Sequence, residues 1–352
     1  MKIVADPNIP SVREAFTTLG DITLIPGREI TGATVRDVDV LLVRSVTPVN
    51  AALLDGSRVR FVATATIGTD HVDTRYLDIR GIGFAGAAGS NANSVAEYVV
   101  AALLELEHRH KFRLRDMTLG VVGVGNVGSR VVRYAQALGM RVLQNDPPRQ
   151  QAESLPDFVT LERVLAEADI VTVHVPLLET TRHMFHRDNL ERFILINTAR
   201  GPVVDNKALL KAIDGDRIPG AVLDVWENEP NISPELLDVV DLGTPHIAGY
   251  SLDGKVNGVR MIYEAACRHF GIPATWQPNL PAVPAIRAEG DLRQIVRQVY
   301  DIAADDVALR ASVRGFDKLR AEYPIRREFF NVELRGVDDQ FQCTLRALGF
   351  RL

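Results

Sequence analysis

The sequence predicts an α/β protein made of two doubly wound parallel-sheet domains, followed by a small α+β segment at the C-terminus. Three observations carry this. Residues 1–90 alternate short apolar strands with helical patterns, the rhythm of a parallel sheet covered on both faces. A second alternation starts near Thr118 and is opened by the glycine-rich "GVGNVG". Beyond the proline-rich "IPATWQPNLPAVPAI" the chain changes character, with one long amphipathic pattern and two strand-like runs.

In chain order, "KIVAD" reads as a strand, "SVREAFTTLG" as a helix closed by Gly20, "DVLLVRS" as a strand, "NAALLDG" as a helix and "RFVATAT" as a strand. The apolar "NSVAEYVVAALLELE" (93–107) reads as a long helix leading into the second domain, where strands are expected at "TLGVV", "DIVTVHVP", "FILINTA", "GAVLDVW" and "VDLGTPH". In the tail, "DLRQIVRQVYDIAADDVALRAS" reads as a single amphipathic helix, and "YPIRREFFNVELRG" and "FQCTLRALGFRL" read as strands. The expected division is a discontinuous first domain (1–92 and 257–281), a second at 93–256, and a C-terminal domain at 282–352.

The totals exclude several classes. With 46% apolar and 24% charged residues the composition is that of a globular protein, and a net charge of −5 disfavours a nucleic-acid partner. Two isolated cysteines, Cys267 and Cys343, leave no disulfide framework and no zinc site, so no metal is expected. No run of apolar residues has the length of a membrane span, and a cytoplasmic location is expected.

"VVGVGNVGSR" places Gly123, Gly125 and Gly128 in GxGxxG spacing between a strand and a helix, with Asp146 at the end of the next strand. Gly-rich turns are common, but this context is that of a dinucleotide site. Gly123 makes the turn, Gly125 admits a pyrophosphate close to the backbone, and Gly128 lets helix and strand pack closely. Asp146 would accept from the adenosine ribose and repel a 2′-phosphate, so NAD is favoured over NADP.

The later strands of this domain end in polar groups: Arg200 after "ILINTA", Asp224, Glu227 and Glu229 in "LDVWENEP", and His246 in "GTPHIAG". At the carboxyl ends of a doubly wound sheet such loops converge on a bound dinucleotide. An arginine fork can hold a carboxylate, a histidine can take a hydroxyl proton, and a glutamate can support the imidazolium. Taken singly, His246 is more often a structural donor and Asp224 a turn cap. Their joint occurrence beside a nucleotide site favours hydride-transfer chemistry.

"GVGNVG", "INTARG", "LDVWENEP" and "PHIAG" together resemble the D-isomer-specific 2-hydroxyacid dehydrogenases over about residues 1–285. "LLVRSVTPVN", "FVATATIGTDHVD" and "HIAGYSLDGK" narrow the resemblance to a branch acting on a small phosphorylated hydroxy acid. It implies a flavodoxin-like substrate domain, a Rossmann NAD domain and a C-terminal dimerisation domain, and so a homodimer without nucleic-acid or membrane partners. It makes Arg200, Glu229 and His246 catalytic, and Ser45, Thr66 and Tyr250 substrate contacts, with Arg44 a further candidate for the substrate's phosphate. NAD contacts would come from Gly125, Asn126, Val127, Asp146, Asp224 and Gly249 beside Gly123 and Gly128, with His174 lining the same site. Alternatives are a sibling acting on 3-phosphoglycerate, and an NAD-sensing binding protein without turnover.

Two features depart from the family pattern or stand outside it. "DNLERFILINTARG" runs almost directly from helix to strand, without the family's longer Lys/Pro/Gly turn, which bears on the placement of the strand leading to Arg200. The pair Arg326 and Arg327, beside Tyr323, Phe329 and Phe330, reads as the solvated rim of a packed element or as cations reaching a partner's phosphate site.

Overall fold

A computed structural model describes residues 1–153 and 158–352. By its internal contacts the chain divides into two compact units, 1–91 with 251–282, and 92–250 with 283–352.

The first unit holds β1 (Lys2–Ala5), β2 (Asp21–Leu24), β3 (Val40–Val43), β4 (Phe61–Thr64) and β5 (Gly83–Gly86), all parallel in the order β2-β1-β3-β4-β5. This is the flavodoxin-like order. The inner strands β3 and β4 are buried throughout, so they read as unbroken apolar runs. The flanking β2 and β5 are only partly buried, and neither stands out in the sequence pattern. Strand pleating sends Val40 and Leu42 to one face, against Val259, Ile262 and Tyr263 of the helix Leu252–Phe270. Leu41 and Val43 go to the other, against Val35, Leu54 and Leu77. Ser251 Oγ caps that long helix by accepting from Gly254 N, and the unit resumes there rather than at residue 257.

The second unit is built on β6 (Thr118–Val122), β7 (Arg141–Asn145), β8 (Ile170–Val173), β9 (Ile194–Asn197), β10 (Ala221–Leu223) and β11 (Leu242–Gly243). Their order is β11-β10-β9-β8-β6-β7, all parallel. A parallel bridge from Gln144 to Phe158 adds a rudimentary strand beyond β7, which completes the Rossmann order. The order reverses between β6 and β8, so the loops after these strands flank the switch point where ligands bind in such sheets. The short entry into β9 is made by Arg192 in the left-handed region (φ 74), its N–H donating to Arg217 O. β9 nonetheless pairs in regular register with β8 and β10, so the missing turn residues do not disturb the strand leading to Arg200.

The helix Ala92–His110 runs slightly past its expected ends and is buried over most of its length. It shares one core cluster with Ile295, Val296, Tyr300, Ile302, Phe329, Leu345 and Phe350 of the C-terminal segment. That segment differs from the sequence reading in three places: "YPIRREFFNVELRG", expected as a strand, is one at Leu334–Arg335 alone and turns at Phe329–Asn331. The expected single helix is two, Leu292–Val299 and Ile302–Ala311, because Asp301 accepts from Ala303 N and Ala304 N and starts a new one. "FQCTLRALGF" is helical over Asp339–Ala347 instead of extended: Asp338 caps it, and Phe341, Leu345 and Leu348 fall on one helical face. Only Ile286–Arg287 (β12) and Leu334–Arg335 (β13) pair there as strands. Cys267 is buried and Cys343 exposed, both as free thiols. Among the described residues no helix is long and apolar enough to cross a membrane, and no His/Cys/Asp/Glu group is placed to hold a metal.

Candidate active site

The glycine-rich turn follows β6. Gly123 has φ 87, and a Cβ there would meet the His174 carbonyl at 2.9 Å, so only glycine fits. A Cβ on Gly128 would sit 2.0 Å from Gly123 O, which fixes how closely the helix Gly128–Ala137 approaches the turn. Gly125 is different: a Cβ there meets no protein atom within 4 Å, so its surroundings are open. The helix starts at Val127 without any side-chain cap, leaving its N-terminus to an anion. Asp146, just past β7, accepts from Val124 N at 2.8 Å and Arg149 N at 3.0 Å, and so ties the turn to the neighbouring strand end. His174 hydrogen-bonds Thr172 and Thr198, and burial pushes its imidazole down to about 3, so it is neutral. These residues suit a dinucleotide: open space at Gly125, an uncapped helix start and an acidic group on the adjoining strand.

Along the sheet, Asn197 closes β9 by accepting from Ala199 N and donating to Arg200 O, which shapes the turn presenting Arg200. A Cβ on Gly201 would lie 1.9 Å from Trp226 O, so this turn and the one after β10 are pressed together. In that second turn Glu229 Oε1 accepts from Trp226 N at 2.8 Å, and Glu229 Oε2 pairs with His246 Nδ1 at 2.7 Å. Burial alone would raise the Glu229 carboxyl; the hydrogen bond and charge of His246 hold it below the usual carboxylate range. Glu227 turns away, pairing with His183 and Asn206. His246 sits in the left-handed region at φ 56, uncommon for a non-glycine residue. Its Nδ1 is committed to Glu229 and its Nε2 has no partner among the described residues, so Nε2 is available for a substrate hydroxyl.

Asp224 sets the loop bearing His246. Only 1% exposed, it accepts from Thr244 Oγ1 (2.7 Å), Ile247 N (2.7 Å) and Ala248 N (2.9 Å). Burial pushes its carboxyl up, against the pull of His246 and these donors. Because Thr244 gives its one proton to Asp224, Tyr98 OH must donate to Thr244 Oγ1, and Trp226 Nε1 donates to Thr244 O. Asn197, Thr244, Tyr98 and Trp226 escape the sequence reading. Only Asn197, beside a glycine turn, carried a local signal.

The structure thus brings Glu229 and His246 into direct contact, with Asp224 beneath their loop. Tyr250 lies at the end of that loop, its ring 6.0 Å from Tyr323 and under the Arg320 guanidinium. The remaining predicted substrate residues belong to the first unit. Arg44 and Ser45 follow β3 and are partly buried and exposed, respectively. Thr66 follows β4, bonded to Thr64 Oγ1 (2.7 Å) and Gly68 O (2.9 Å), while Thr64 also reaches His71.

Against known proteins, residues 88–248 match the D-isomer specific 2-hydroxyacid dehydrogenase NAD binding domain, and residues 272–349 match a domain of unknown function. A protein of Chromohalobacter salexigens named erythronate-4-phosphate dehydrogenase is 45% identical over 100% of this chain and 99% of its own length. One of the same name from Salinibacter ruber is 49% identical over 93% of this chain and 92% of its own. The chain belongs to the erythronate-4-phosphate dehydrogenase family. Among solved structures, D-lactate dehydrogenase from Aquifex aeolicus, complexed with NAD and lactic acid, superposes with a TM-score of 0.63 at 26% identity, covering 77% of this chain and 96% of its own. This chain thus shares the 2-hydroxyacid dehydrogenase architecture over the 77% of its length that the lactate enzyme covers.

Proposed function

We propose that the protein oxidises 4-phospho-D-erythronate to 3-hydroxy-2-oxo-4-phosphonooxybutanoate with NAD, a step of vitamin B6 synthesis, and that it works as a cytoplasmic homodimer. The observation that carries the reading is the Glu229–His246 pair with a free Nε2, on the sheet that holds the glycine turn. Bound NAD would supply the hydride acceptor. Gly123, Gly125, Asn126, Val127 and Gly128 would cradle its pyrophosphate, Asp146 its ribose, and His174 and Gly249 would line its site.

His246 Nε2 takes the proton of the substrate hydroxyl as carbon 2 gives up its hydride. Glu229 stabilises the imidazolium and holds its tautomer through Nδ1. Arg200 grips the substrate carboxylate, where a guanidinium fork suits two oxygens. Ser45, Thr66 and Tyr250 supply hydroxyl contacts, and Arg44 a cation for the phosphate. Asp224 acts on NAD through the loop it shapes, because its oxygens are already occupied by loop donors. The C-terminal domain (282–352) would form the dimer interface.

The test is reduced-nicotinamide absorbance and fluorescence with 4-phospho-D-erythronate and NAD, read without any 2-oxo acid, which would take the hydride back off the cofactor. Reduction with this substrate and none with 3-phosphoglycerate is the expected result. Turnover of 3-phosphoglycerate instead would transfer the reading to the sibling activity, and NAD binding without any turnover would replace it with a sensor.

A further inference from the structure

The loop that carries His246 is held from two sides by buried charges, and only one of them belongs to the NAD-binding sheet. From below, Asp224 takes the N–H groups of Ile247 and Ala248. From the other side Arg326, in the C-terminal segment, donates to the Ala248 carbonyl at 2.6 Å. It also donates to Ser94 O at 3.2 Å and to Ser94 Oγ, and Ser94 Oγ itself reaches Ala248 O at 2.8 Å. Ala248 is thus gripped through its N–H by an anion and through its carbonyl by a cation.

Arg326 is neither a solvated rim nor a free arm. It is 5% exposed, its guanidinium lies 4.2 Å from the centre of the Tyr300 ring, and the buried Glu97 and the Asp305 carboxyl contribute the opposing charge. Among the described residues Nε and Nη1 find no hydrogen-bond partner, and the hydrogen bonds of Nη2 go to Ser94 and to the residue two places after His246.

We infer that Arg326 is a positioning residue for His246: the C-terminal segment clamps the Ala248 carbonyl and thereby fixes the imidazole that moves the substrate proton. The inference rests on the dehydrogenase reading above. His246 occupies an unfavourable left-handed conformation, so a loosened loop has a lower-energy backbone available to it. Displacing an imidazole by about 1 Å can lower a rate by about a hundredfold.

The test compares wild type, Arg326→Ala and Arg326→Lys for kcat, KM, NAD affinity by nicotinamide fluorescence, melting temperature and hydrogen exchange at Ile247 and Ala248. In Arg326→Ala, kcat should fall about tenfold or more with NAD affinity little changed, and added guanidinium ion should restore part of the loss. The two amides should exchange faster, and Arg326→Lys should lie between the two. A folded Arg326→Ala with unchanged kcat and unchanged exchange overturns the inference. So does a rate loss that only follows the unfolded fraction and ignores guanidinium. If Arg326→Ala does not fold, Arg326→Lys decides: wild-type kcat and exchange there refute the clamp. A wild type inactive on 4-phospho-D-erythronate would sink the proposed reaction while leaving the exchange result to judge the clamp.

Discussion

The two ends of the NAD-binding sheet's functional edge are built from different materials. At the glycine turn, position is set by backbone: absent Cβ atoms let Gly123 and Gly128 approach their neighbours, and one carboxylate, Asp146, pins the turn. At the His246 loop, position is set by buried side-chain charge, with Asp224 below, Arg326 above and Glu229 on the imidazole. A backbone-built site tolerates changes in surrounding side chains but not an added methyl group. A charge-built site keeps its packing under conservative substitution yet loses function when one partner is neutralised. That contrast fits the proposed division, with NAD binding at one end and proton transfer at the other.

The sharpest break should come at the charged end. His246→Asn is expected to lower kcat/KM by about a hundredfold or more while NAD still binds, because the proton acceptor is gone. Wild-type kcat/KM in His246→Asn would move the proton role to another group. Next in size, Glu229→Gln should cost about ten- to a hundredfold in kcat, with little change in the melting temperature. Equal activity would mean that the 2.7 Å Glu229–His246 contact has no part in stabilising the imidazolium.

The same contrast explains what the sequence discloses. GxGxxG is legible because its physics is local: strand, turn and helix lie within a few residues, and each glycine's reason is its own missing Cβ. Arg200, Glu229 and His246 are legible because each ends a strand of a fold whose carboxyl-end loops converge. What holds His246 is not legible. Thr244 meets Tyr98 and Ala248 meets Arg326, pairings 146 and 78 residues apart with no periodicity to announce them. Arg326 reads as a surface charge because nothing in "YPIRREFF" shows that Ser94 and Tyr300 enclose it. The tail helix Asp339–Ala347 escapes for another reason: a short apolar run fits a strand and a helix equally until its Asp338 cap is weighed.

At the backbone-built end two single-methyl changes should part company. Gly128→Ala places a Cβ against Gly123 O, a backbone atom that cannot swing aside, and should destabilise the fold by about 2–4 kcal/mol in denaturant unfolding. Gly125→Ala meets nothing in the protein and should leave stability unchanged, but weaken NAD binding by about tenfold through contact with the pyrophosphate. Titrating NAD against both variants separates the two roles. Should Gly125→Ala bind NAD as wild type does, the open space there would not be the pyrophosphate site.

The smallest effect sets the two ends against each other in pH. Burial holds His174, beside the glycine turn, down to about 3 from 6.5, so the unfolded chain binds the extra proton between these values. Its contribution is therefore present above pH 6.5 and lost as the pH falls. Asp305, behind the His246 loop, has the opposite sign: burial raises its carboxyl from 3.8 to about 6. The folded state then holds the extra proton, and stability is lost as the pH rises from 3.8 through about 6. Between those values the two slopes oppose each other. Asp305→Asn keeps the shape and the acceptor for Tyr323 OH but removes the titration. It should melt like wild type near pH 4 and be more stable by about 1–3 kcal/mol at neutral pH, where the His174 slope has ended. A stability difference of constant size from pH 4 to 8 would mean that Asp305 does not titrate in this range and that the charged end owes its cohesion to Arg326, Asp224 and Glu229 alone.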